Sequence, residues 1–88
     1  VGPIPADTLF NRAFNLGEFD GIVTMYHDQG QIALKLLGFE KGVSIEGGLP
    51  CPLMTPSHGT AFEIAGTGTA TIHAFNTALL DAVEMATR

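Results

Sequence analysis

Ile22-Val23-Thr24-Met25-Tyr26-His27-Asp28-Gln29-Gly30 is the stretch on which the reading of this chain turns. Its first four residues are almost continuously apolar and rich in β-branched side chains, which suits a short strand covered on both faces of a parallel sheet. The polar residues that follow at once then stand just beyond the carboxyl end of that strand, where open α/β sheets bind ligands. A neutral imidazole such as His27 is a common ligand for divalent metals, and the neighbouring carboxylate of Asp28 can fix its tautomer or bind the ion itself. A plainer reading has Asp28 capping a helix beside a solvent-facing His27. One histidine is short of the three protein ligands usual for a catalytic zinc.

Outward from this stretch, helices and strands alternate. On the N-terminal side, Pro3 and Pro5 precede the polar first turn Ala6-Asp7-Thr8, and Leu9, Phe10, Ala13, Phe14 and Leu16 recur at helical spacing until Gly17. On the C-terminal side a second short helix is expected from near Asp28 to Gly38, followed by a brief strand at Val43-Ser44-Ile45. Residues 47–57 carry Pro50, Pro52 and Pro56 and read as an irregular loop. His58-Gly59-Thr60-Ala61 leads into a short helix stopped by Gly66 and Gly68. The longest helix is expected from about Thr69 to Ala86, with Ile72, Phe75, Leu79, Leu80, Val83 and Ala86 as its packing face. The expected class is α/β, with sheet edges and helix faces left over by so few strands.

Composition narrows the function. The 88 residues are 45% hydrophobic and 15% charged, with a formal charge of −5 and no cluster of Lys or Arg able to follow a phosphate backbone, which argues against a nucleic-acid partner. A mean hydropathy of +0.27 without an apolar run of roughly 18 residues argues against a membrane span, and no signal peptide opens the chain, so a cytoplasmic location is expected. The single cysteine, Cys51, lies between Pro50 and Pro52 and has no internal partner for a disulfide. It is expected as a packed thiol, and Met25, Met54 and Met85 as core filling. The chain opens at Val1 without an initiator methionine, and a portion of a longer protein is the expectation.

Other residues can carry chemistry. His58-Gly59-Thr60-Ala61 combines close backbone approach, a hydroxyl and a helix start, which suits a nucleotide edge. Glu63 could accept hydrogen bonds from both ribose hydroxyls and repel a 2′-phosphate, favouring NAD over NADP. The plain alternative is a tight turn with an exposed glutamate. Gly66-Thr67-Gly68 is no dinucleotide fingerprint, because Thr71 stands where the third glycine belongs. Lys35, eight residues after His27, falls about two helical turns along. His73 reads as structural.

Taken in order, Gly2-Pro3-Ile4-Pro5-Ala6-Asp7-Thr8, Met25-Tyr26-His27-Asp28-Gln29-Gly30, Leu34-Lys35, Gly48-Leu49-Pro50 and His58-Gly59-Thr60-Ala61 resemble the C-terminal part of the 4-hydroxythreonine-4-phosphate dehydrogenase family of pyridoxine and pyridoxal phosphate biosynthesis. The resemblance covers essentially the whole chain and makes residues 1–88 one segment of a larger enzyme. It implies an isocitrate/isopropylmalate-dehydrogenase-like α/β/α fold working as a homodimer on a small-molecule substrate. By the same resemblance His27 is one of three histidine ligands of a divalent metal, zinc or else magnesium, cobalt or manganese, the other two lying upstream. Lys35 and Ser44 fall at substrate-contacting positions, His58, Gly59, Thr60 and Ala61 in the adenosine-binding loop, and Glu63 where an acidic residue marks NAD preference. The reaction implied is NAD-linked oxidation of a secondary alcohol, followed by decarboxylation of the β-keto acid.

Two residues depart from the biosynthetic pattern. Ser44 replaces an asparagine and Leu53 replaces an arginine, both at positions that contact substrate, and an arginine lost from a phosphate site is not a neutral change. A paralogue acting on a sugar-acid phosphate or a cyclic dihydrodiol carboxylate fits Leu53 at least as well. Two further classes stay open: a non-catalytic fragment that retains packing elements, and a nucleotide-binding module without redox chemistry.

Overall fold

The computed structural model describes residues 1–88. The chain divides into two compact units, residues 1–36 and 37–88, and the boundary falls in the last turn of a helix.

In the first unit, helix α1 spans Ala6–Phe14. Pro5 precedes it with extended backbone, and its carbonyl accepts the N–H groups of Thr8 and Leu9 and the Thr8 hydroxyl, which ties the first turn. Gly17 ends the helix at φ +65°, a conformation that costs glycine little. Around it Leu16 N–H reaches back to Asn11 O and Glu18 N–H to Arg12 O. The return is pinned by Arg12, whose Nε donates to Glu18 Oε2 at 2.6 Å while its guanidinium lies 5.1 Å from the Phe19 ring centroid. Phe10 and Phe14 stack one turn apart, with centroids separated by 6.5 Å.

Residues 22–25 do not form the expected strand. No segment of this chain pairs with them, so the parallel-sheet expectation fails here for want of a ladder partner. The alternation of a strand survives: Ile22 and Thr24 are half-buried, whereas Val23 is 90% and Met25 82% exposed. Helix α2 follows over His27–Gly38, close to its expected limits. Neither α1 nor α2 contains a fully buried residue.

The second unit is a ribbon with a helix laid on it. Strand β1, Val43–Ile45, pairs antiparallel with β2, Met54–Pro56, in the register Val43↔Pro56, Ser44↔Thr55 and Ile45↔Met54. β2 corrects the irregular-loop reading of residues 47–57. Backbone bonds from Ser57 N–H to Gly42 O and from Glu46 N–H to Leu53 O extend the ladder on either side. Since bonded and non-bonded pairs alternate in an antiparallel ladder, Val43↔Pro56 is a non-bonded pair, and the N–H that Pro56 lacks would have pointed away from β1.

Helix α3, His73–Thr87, packs on both strands and starts four residues later than its expected beginning at Thr69. Its contact face is also not the expected one. Ala74 and Ala78, at 7% and 5% exposure, are the buried hydrophobic residues of the chain. Phe75, Leu79 and Val83, about 100° round the helix, are exposed, as are Ile72 and Leu80. Small side chains let the helix axis approach a ribbon only two strands wide, so the large residues are turned off it. The expectation of buried methionines is corrected too, since Met25 and Met85 are exposed and Met54 is half-buried. Cys51 is exposed rather than packed. No helix is long and apolar enough to cross a membrane.

Candidate functional site

His27 is the first residue of α2, and its ring stands in solvent with 81% of the side chain exposed. Nδ1 lies 3.0 Å from Asp28 Oδ1, whose side chain is equally open at 86%. A carboxylate can only accept, so the contact places a proton on Nδ1 and leaves the Nε2 lone pair of the neutral ring directed outward. That is the form in which imidazole binds a metal ion. One donor is not a site, however. No three His, Cys, Asp or Glu side chains converge anywhere in the chain, so the residues present fit a divalent ion in kind but supply one ligand of the set.

The turn that holds His27 is built by a residue the sequence reading passed over. Gln29 Oε1 accepts the backbone N–H groups of Met25 at 3.0 Å and Tyr26 at 3.1 Å, and the Gln29 N–H donates back to Tyr26 O at 3.1 Å. This is one half of a capping box, the glutamine at the third helical position reaching back to the N–H before the helix, while its own N–H is met by the Tyr26 carbonyl instead of a side chain. Asp28 therefore does not cap the helix; it engages His27. The signal was available as a glutamine three residues after Tyr26, and it was obscured because no Ser, Thr, Asp or Asn occupies the capping position itself.

Lys35 is half-buried on α2, about 12 Å along the helix axis from His27. Ser44 lies in β1, and its Oγ is 2.9 Å from Ser57 Oγ, so its hydroxyl is engaged by the residue that follows β2. Leu53 precedes β2 and is half exposed.

In the second unit, His58, Gly59, Ala61 and Glu63 line a cleft of about 280 Å³ together with Phe39 and Ala74. Thr60 is not among its lining residues. The volume lies just under the roughly 300–1,000 Å³ of a complete small-molecule site, so the cleft can take part of a larger ligand. His58 Nδ1 donates to Gly59 O at 2.8 Å, which again leaves Nε2 open. Ala61 adopts left-handed backbone at φ 52°, ψ 38°, and so carries strain that a glycine would not. The expected short helix is a single 3-10 turn, Phe62–Ile64, too short for a helix dipole to assist a phosphate. Gly66 and Gly68 are both at positive φ, and the Thr67 hydroxyl donates to Ile64 O at 2.6 Å, so this segment is a tied turn.

One electrostatic displacement is resolved. The hydrogen bond and charge of Glu84, 2.8 Å from Arg88 at the end of α3, hold the Arg88 guanidinium above its ordinary range. A raised cation contributes below its unfolded pKa, and arginine is charged throughout the working range, so this pair opens no pH window.

Comparison with known proteins agrees with the family resemblance. A Rhizobium meliloti relative, whose name as a second 4-hydroxythreonine-4-phosphate dehydrogenase is itself provisional, is 60% identical over 85 residues, covering 97% of this chain and 24% of its own. The 4-hydroxythreonine-4-phosphate dehydrogenase of Geobacter metallireducens is 50% identical over 86 residues, 98% of this chain and 25% of that protein. The D-threonate 4-phosphate dehydrogenase of Cupriavidus necator is 53% identical over 87 residues, 99% and 26% respectively. The chain thus spans about a quarter of the length of the curated relatives it matches. With residues 1–84 matched by the family described as pyridoxal phosphate biosynthetic protein PdxA, this chain belongs to the PdxA family.

Proposed function

We propose that these residues form the C-terminal segment of a metal-dependent, NAD-linked dehydrogenase that oxidises a secondary alcohol of a phosphorylated hydroxy acid and releases carbon dioxide. The observation that carries this reading is His27, an exposed imidazole with Nδ1 engaged and Nε2 open, in a chain 50% and 53% identical to relatives named as dehydrogenases of 4-phosphorylated acids. The reading extends to an isocitrate-dehydrogenase-like fold and a homodimer for the full-length protein.

A divalent ion held in part by His27 would supply Lewis-acid polarisation of the hydroxyl to be oxidised. Asp28 keeps the imidazole in the tautomer that can bind it. Lys35 offers a cation to the anionic substrate and orients it. Gly59 brings backbone close to the adenosine end of NAD, and Glu63 accepts from the ribose hydroxyls while repelling a 2′-phosphate, so NADP is the poorer substrate. The 88 residues contribute to this site and do not complete it.

The two relatives' substrates differ in the group on carbon 2, an amine in one and a hydroxyl in the other, and share the phosphate, the alcohol and the carboxylate. Leu53, where the biosynthetic pattern has arginine, removes a cation from the side of the phosphate that both share, and so does not choose between them. The test is NADH formation by the full-length protein with each substrate in the presence of divalent metal. We expect turnover of one or both that EDTA abolishes; no NADH from either substrate under any metal would refute the proposal.

A further inference from the structure

His27 has no packing to aim it. Its ring is open to solvent on all sides but that of Asp28, and Asp28 is equally exposed, so the direction of Nε2 is set by the backbone turn at residues 25–27. A metal ligand has to be held within about 0.5 Å of its productive place. What holds this turn is the next pair of residues along α2. Gln29 Oε1 gathers the N–H groups of Met25 and Tyr26 at 3.0 and 3.1 Å, and because both are donors the amide must present its oxygen to them. Gly30 closes the same turn from the other side. A β-carbon at Gly30 would lie 3.2 Å from Thr24 Oγ1, tighter than ordinary side-chain contact, and 3.7 Å from Thr24 Cγ2, an ordinary contact.

We propose that Gln29 is the positioning residue for His27, fixing through its side-chain oxygen the turn from which the imidazole is presented, and that Gly30 leaves the room in which the Thr24 hydroxyl sits against the first turn of α2. The inference rests on the reading of His27 as a metal ligand. The acceptor at position 29 is what matters, so a carboxylate substitutes for the amide and an alkyl chain does not. Gln29 touches neither metal nor substrate.

The experiment is cobalt(II) binding to the full-length protein, read from the visible d–d absorption band and from affinity, for Gln29→Leu, Gln29→Glu and His27→Ala. Gln29→Leu is expected to weaken cobalt binding about 10- to 100-fold, the range for residues that orient a ligand, and to alter the band. Gln29→Glu is expected to restore both. A Gln29→Leu protein with the parent's band and affinity, beside a His27→Ala protein that has lost them, would overturn the positioning role alone. A His27→Ala protein that binds cobalt like the parent would overturn the metal reading and this inference with it. Should Gln29→Leu fail to fold, Gly30→Ala carries the test: it should weaken cobalt binding, and Thr24→Ala in the same chain should restore it, whereas parental binding by Gly30→Ala would overturn the inference.

Discussion

Residues 1–36 and residues 37–88 solve the same problem in different ways. The second unit buries Ala74 and Ala78 of α3 against its own two strands, and each hydrogen-bonded stretch of that ribbon has its partner within the unit. The first unit has two helices without a fully buried residue and an alternating segment, Ile22–Met25, that pairs with nothing. Yet the first unit carries His27, and the second carries the cleft around His58 and Glu63. The difference teaches that closeness of packing and chemical content are distributed separately here: the unit with the proposed metal ligand is the one that buries least within itself.

The sharpest way to break that comparison is Val23→Asp in the full-length protein. If Val23 lies in a covered strand there, an unpaired carboxylate costs about 3 kcal/mol or more, seen in urea unfolding; a cost under about 0.5 kcal/mol would mean that the first unit exposes this segment natively. Ala78→Leu tests the second unit from within. Overpacking the α3 contact is expected to cost about 1–3 kcal/mol, and no change in the denaturation midpoint would mean that the alanine face is not a close contact. Arg12→Ala, which removes an exposed ion pair and the contact with Phe19, is expected to cost about 1 kcal/mol, more than Glu18→Ala, which removes the ion pair alone. Equal losses would remove the aromatic contact from the account. Ala61→Gly should be the smallest effect. Relief of left-handed strain outweighs the added chain entropy by about 0.5 kcal/mol, and a lowered thermal midpoint would contradict the strain at φ 52°.

Legibility followed locality. The limits of α1 and α2 could be read from Pro5, Gly17 and Gly38 because caps and stops are decided within a turn or two. The strand at Ile22–Met25 could not, since a strand is defined by its neighbour and this chain supplies none. β2 was hidden by counting prolines instead of placing them: Pro56 sits in a non-bonded pair, where its missing donor leaves the ladder intact. On α3 the spacing of Ile72, Phe75, Leu79 and Val83 correctly grouped one stripe, but periodicity does not say which stripe meets the sheet, and the alanines do. The histidines and Glu63 stood out by residue type, whereas Gln29 did not, because its part is to hold backbone rather than to react.

The loop between β1 and β2 has a practical use. Its thiol at Cys51 is exposed, the chain has no other, and prolines on both sides restrict the backbone that carries it. A maleimide dye attached there would report on the second unit from one defined point without an engineered attachment site, and its rotational freedom, read by fluorescence anisotropy, would follow the seating of the ribbon as α3 is loosened or tightened.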